Sequence, residues 1–127
     1  MPRAMWPLHQ GRPRIDVVLA RAAGATQMSR SLLADTGAGS QRAVFELVLE
    51  ESVCLACGGI RMGLVQLAGA YTGPFPIYSV RVLIPQIGFG DRVRVVGVST
   101  IPPGLDGVAG FRFLNRFTYG NLGRIRA

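Results

Sequence analysis

Asp35 is one of only four aspartates in the 127-residue chain, and it sits in residues 31–40, SLLADTGAGS, between an apolar pair and a Thr-Gly turn. Leu32 and Leu33 read as the end of a buried strand, and Gly37 and Gly39 let the chain fold back sharply after it. A carboxylate beside buried surface is costly unless it is hydrogen-bonded or used. The placement therefore reads either as a strand-end turn or as a catalytic acid. The chemistry open to such an acid is general acid–base hydrolysis, with water as the nucleophile. That reaction needs one group to take a proton and one to give a proton, and two carboxylates sharing a single proton do both. Like charges a few ångströms apart cannot both ionise, so the two pKa values separate and belong to the pair.

One chain supplies one such aspartate. Asp16 falls within the first strand, Asp91 opens a later one and Asp106 precedes Gly107 in a loop; none is followed by Thr-Gly or Ser-Gly. A two-fold homodimer would place Asp35 opposite its own copy. In that arrangement Thr36 would hydrogen-bond across the pair, and Gly37 would let backbone N–H groups approach the carboxylates.

A second chemical candidate is Cys54-Leu55-Ala56-Cys57. A CxxC pair suits redox chemistry or half of a zinc site. Zinc needs further ligands, and the one histidine is His9. Redox use wants the motif at the opening of a helix after a strand, whereas Gly58-Gly59 follow at once. The pair reads as structural, with a metal site shared across a dimer as the alternative; no metal and no cofactor are expected within the chain.

The elements that position these groups follow from pattern. Seventeen glycines and eight prolines spread along a chain that is 49% apolar and 17% charged argue for many short strands and tight turns. Residues 1–13 read as an arm. Residues 14–22 are a strand, 23–28 a turn and 29–37 the return strand that delivers Asp35. Residues 42–52 carry both an alternating and a helical apolar pattern, and the reading leans to helix. Residues 60–70 and 77–85 make a hairpin around the Gly/Pro-rich tip 71–76, 92–98 is a strand and 99–107 a loop. A short strand ending at Gly110 then leads into a short helix carrying Phe113, Leu114 and Phe117.

This order resembles the retropepsin-like aspartic proteases, the single-domain relatives of the retroviral protease. Leu32-Leu33-Ala34-Asp35-Thr36-Gly37-Ala38 looks like the family's catalytic motif, and Val108-Ala109-Gly110 with Phe111-Arg112-Phe113-Leu114 looks like its second signature. The resemblance covers about residues 14–119. It implies an all-β fold: a closed β-barrel of short strands with one short C-terminal helix, a flap hairpin and a two-fold homodimer. Asp35, Thr36 and Gly37 would be catalytic. Val108, Ala109 and Gly110 would pack beneath the catalytic loop. Ala38 and the hairpin residues Tyr71, Thr72, Gly73 and Phe75 would meet an extended polypeptide substrate, if the hairpin is a flap and not merely a surface feature. Arg112 stands where the family's helix often carries an acid. Residues 1–8 and the tail, within 120–127, would pair at the dimer base, where Trp6 would suit either that interface or the chain's own core.

The reading is thus an aspartic endopeptidase acting as a homodimer, the alternative being a catalytically silent dimerisation or peptide-binding module of the same fold. The net charge of +7 raises a third reading, nucleic-acid binding. All fourteen basic residues are arginine and they are scattered, with no basic segment interleaved with aromatics, so no nucleic-acid partner is expected. No segment approaches the ~18 to 20 apolar residues of a membrane helix. Residues 1–14 contain no apolar core of a secretory signal, which leaves the cytoplasm as the expected compartment.

Overall fold

Alternation becomes strand wherever the pattern is clean. The computed structural model describes residues 3–5, 8–9, 12–20, 27–35, 44–66, 74–119 and 124–126. Its strands are β1 (Arg3–Met5), β2 (Leu8–His9), β3 (Arg12–Ala20), β4 (Gln27–Ala34), β5 (Leu47–Glu50), β6 (Ile60–Gln66), β7 (Pro74–Ile84), β8 (Phe89–Val98), β9 (Gly107–Ala109), β10 (Thr118–Tyr119) and β11 (Arg124–Arg126). Two helices, α1 (Glu51–Ala56) and α2 (Phe111–Leu114), and one 3-10 turn at Pro85–Ile87 complete them.

Six strands close into a barrel in the order β3-β4-β9-β5-β8-β7, with β7 returning to β3 through Val18↔Leu83, Leu19↔Val82 and Ala20↔Arg81. Closure removes the free sheet edges that an open all-β layer would expose. β2 extends the barrel beside β3, and β6 extends it beside β7. The interior is filled by inward positions of successive strands: Ile15, Val17 and Leu19 of β3, Leu32 of β4, Leu47 and Leu49 of β5, Val80, Val82 and Ile84 of β7. Each such aliphatic side chain contributes about 1.5–3 kcal/mol when fully withdrawn from water. Phe89, Phe113 and Phe117 stack edge to face, with centroids 5.1–5.9 Å apart, and join that core.

A second apolar cluster lies on the outer face. Val48, Ile77, Val96 and Val98 form it, and Phe45, Val65, Phe75, Ile101 and Val108 pack against them. Register explains its shape. Val108 is opposite Val48, Val48 opposite Val96, Val96 opposite Ile77, and Ile77 opposite Gly63, so one cross-strand row runs from β9 to β6.

This double burial explains the main departure from the sequence reading of residues 42–52. Residues 47–50 are strand, and the helix comes later, at Glu51–Ala56, where it carries Cys54. Leu47 and Leu49 face the barrel interior while Val48 faces the outer cluster, so β5 reads as an unbroken apolar run with no clean period.

Smaller differences concern boundaries. Gln27 and Met28 belong to β4, paired with Ala20 and Leu19, and not to the turn. β7 begins at Pro74, inside the expected tip. Pro74 and Pro76 lie beyond the last β7–β8 pair, Ile77↔Val96, where one side of the strand is unpaired and proline is tolerated. The arm is not featureless, since β1 and β2 occupy parts of it. Arm and tail pair within the one chain as a three-stranded sheet, β1-β11-β10, with Ala4↔Ile125 and Tyr119↔Ile125 in register. No helix among the described residues is long and apolar enough to cross a membrane.

Candidate active site

Asp35 is the first residue beyond β4. Its backbone N–H donates to the Ala109 carbonyl at 3.0 Å, which continues the parallel β4–β9 pairing Leu33↔Val108 and Ala34↔Ala109 by one bond. β9 is itself inserted between β4 and β5, through Leu47↔Ala109, Val48↔Val108 and Leu49↔Gly107. The Gly110 N–H then donates to the Glu46 carbonyl at 2.9 Å. Three consecutive residues, Val108, Ala109 and Gly110, therefore hold both ends of the segment that starts at Asp35 and finishes at Glu46. These are the three residues that sequence reading expected beneath the loop; residues 36–43 of that loop lie outside the described residues, and the bonds shown are those at Asp35 and Glu46.

The threading demands Gly107. A Cβ on that residue would sit 2.5 Å from the Val48 carbonyl oxygen and 2.7 Å from Leu49 Cδ2. Ahead of it, the Asp106 carboxylate accepts the Ser31 N–H at 2.9 Å and extends the contact with β4 before β9 begins.

At Glu46 lies an ion pair that sequence reading missed. Glu46 is the one buried charged residue among those described, 4% exposed. Arg116, two residues past α2, grips it with two parallel bonds, Nε to Oε2 at 2.5 Å and Nη2 to Oε1 at 2.9 Å. Nη1 of the same guanidinium meets Asp91 Oδ2 at 3.1 Å, and its carbon lies 5.7 Å over the Phe89 ring. The bonds to Glu46 chiefly raise the Arg116 pKa, and the Asp91 carboxyl is held low, first by the Arg92 N–H and then by Arg116. The one available signal was an acid opening an apolar run, since a buried carboxylate requires a partner.

Asp35 itself is half-buried. The other described acids are engaged or turned away. Glu46 and Asp91 are on Arg116, Asp106 is on Ser31, Glu51 accepts the Tyr78 hydroxyl, Glu50 accepts the Ser52 hydroxyl, and Asp16 is exposed on β3. Thr36, Gly37 and Ala38 lie outside the described residues, as do Tyr71, Thr72 and Gly73 of the hairpin tip. Phe75 is described and partly buried. Phe75 on β7 and Val108 on β9 each pack against the outer apolar cluster, so the two strands contribute to one face.

Cys54 and Cys57 are buried thiols with no disulfide between them. They occupy α1 and its C-terminal cap, with Cys57 Sγ 3.4 Å from the Cys54 carbonyl. Burial, then the neighbouring Cys57, pushes the Cys54 thiol up to about 12. That suppresses the thiolate needed for redox or metal chemistry. No cluster of three or more His, Cys, Asp or Glu side chains suited to a metal occurs among the described residues. No family model, curated protein or solved structure matches this chain.

Proposed function

We propose that this protein is an aspartic endopeptidase of retropepsin type, hydrolysing polypeptides with a water activated between two Asp35 carboxylates of a homodimer. The observation that carries the reading is the bond from the Asp35 amide to Ala109, on a strand inserted between the two strands flanking the Asp35 loop. A mere strand-end turn would not need a second strand threaded beneath it. With the other described acids bonded elsewhere or, like Asp16, exposed on another strand, the second carboxylate comes from the other copy.

In the reaction, the ionised member of the pair takes a proton from the water as its oxygen attacks the scissile carbonyl. The protonated member gives its proton toward the carbonyl oxygen, and the exchange reverses as the amine leaves. The hairpin of β6 and β7 closes over the extended substrate, and Phe75 and Val108 contribute apolar surface beneath it.

The test is cleavage of a diverse peptide pool, scanned from acid to neutral pH and over protein concentration. Wild type should cut with a bell-shaped pH profile and with activity per mole that rises as dimers form. Asp35→Asn should lose at least about 10³-fold while keeping its fold and association. A folded dimer that binds peptides and cuts none would instead identify a binding module; a chain fully active at high dilution would remove the shared dyad.

A further inference from the structure

The outer apolar row ends, on the side away from β9, in an open groove of about 440 Å³. Val44, Met62, Leu64, Val65, Gln66 and Ile77 line it together with Arg94. Its walls are unusually bare: Met62 and Leu64 are 55% and 60% exposed. β6, which carries both, pairs only with β7, so its other edge presents unpaired backbone groups among the described residues. An edge of this kind accepts an added strand.

The charge beside the groove is one-sided. Arg94 makes no ion pair among the described residues, its neighbour two residues along is Arg92, and Arg92 stands directly opposite Arg81. Like charges facing each other across a strand pair are destabilising. Asp91, adjacent in sequence, has its carboxylate held by Arg116. The result is an aliphatic trough leading into a ladder of three exposed guanidinium groups.

We propose that this groove docks an extended peptide segment that pairs an aliphatic side chain with neighbouring carboxylates. The aliphatic residue fills the trough between Met62, Leu64 and Ile77, the backbone adds to the edge of β6, and the carboxylates meet Arg94 and Arg92. Charge complementarity selects an acidic partner. Nucleic acid fits less well, because the groove offers aliphatic walls and no aromatic ring for a base to stack on. The proposal rests on the reading that the β6–β7 hairpin covers an extended polypeptide and deepens it by naming the side chains selected; binding by Asp35→Asn tests it separately from cleavage.

The test measures fluorescence anisotropy of labelled ten-residue peptides with the Asp35→Asn protein, so that turnover plays no part. One peptide alternates Leu or Val with Glu, and its twin carries Lys in place of Glu. The acidic peptide should bind, Arg94→Glu should weaken it at least about tenfold and favour the Lys twin, and Leu64→Arg should weaken both. Both substituted side chains are exposed, and thermal unfolding monitors that the variants stay folded. Equal binding of the two peptides, no binding of either, or indifference to Arg94→Glu overturns the proposal. Displacement of the peptide by a single-stranded oligonucleotide, with Leu64→Arg silent, would assign the arginine ladder to nucleic acid. Self-association abolished by Leu64→Arg, without peptide binding, would assign the groove to a second copy.

Discussion

Arg116 reaches back seventy residues to grip Glu46 through two parallel hydrogen bonds, at 2.5 and 2.9 Å. The same Glu46 gives its carbonyl to Gly110 and its N–H to the Arg94 carbonyl, so the far end of the Asp35 loop is fixed by backbone and side chain together. Removing Arg116 leaves a buried carboxylate without its cation. Arg116→Met should destabilise the fold by about 3 kcal/mol, toward the lower end of the range for broken buried pairs because the arginine is partly open to solvent. Glu46→Leu combined with Arg116→Met should cost clearly less than the sum of the single changes. Denaturant unfolding of the four proteins closes the cycle; additive losses would show that the pair is not coupled.

Gly107 is the tightest point of the threaded strand. A methyl group there meets the Val48 carbonyl and the Leu49 and Leu32 side chains, with backbone on one side and core on the other. Gly107→Ala should therefore cost about 2 kcal/mol or more, an overpacking penalty with no flexible side chain to absorb it. Gly104→Ala is the contrasting case. Its φ of +87° strains a side chain, yet nothing lies within 4 Å of the added Cβ, so its cost should be near 1 kcal/mol. Equal losses at the two positions would mean that close approach does not govern Gly107.

Much of the barrel was legible because its strands bury one face. β3 alternates openly, as does the first half of β8, and the apolar-apolar-Gly run was legible as a short strand, Gly107–Ala109, leading into a short helix. β5 was not legible, since Leu47, Val48 and Leu49 are buried on opposite faces and leave no period to read. The Glu46–Arg116 pair was hidden for another reason. It joins positions far apart in sequence, and neither residue carries a local signal for the other. The arginines looked scattered along the chain, yet antiparallel pairing brings Arg81 and Arg92 face to face, with Arg94 beside them. Spacing along one strand cannot reveal a ladder assembled from two.

The cysteines should behave as core residues. With Cys54 pushed up to about 12 from an ordinary value near 9, only about one thiol in ten thousand is ionised at pH 8. Thiol-reactive reagents should label neither cysteine in the native protein and both after unfolding. Cys54→Ser with Cys57→Ser should lower stability by about 1–3 kcal/mol, since hydroxyls replace buried thiols, and leave Asp35-dependent cleavage nearly unchanged. A chelator should change neither stability nor cleavage. Rapid native labelling, or loss of a stoichiometric metal, would contradict the structural role.

Tyr78 and Glu51 give the fold a pH dependence on the alkaline side. The Tyr78 hydroxyl donates to Glu51 Oε2 at 2.7 Å, and that bond, followed by burial, raises the phenol above its ordinary value of 10.0. A phenol whose folded pKa is raised holds its proton more tightly in the folded chain than in the unfolded one. Its stabilisation is therefore complete below pH 10 and drains away as pH rises through the folded value. Tyr78→Phe should cost about 1.5–3 kcal/mol at pH 8, the worth of one hydrogen bond to a charged acceptor on a ring that otherwise stays packed. Denaturant unfolding at pH 8 and again at pH 11 compares the two proteins directly. The gap between them should narrow at the higher pH, with the remaining tyrosines cancelling because both proteins share them; a gap that stays constant would show that the phenol proton is not what Glu51 stabilises.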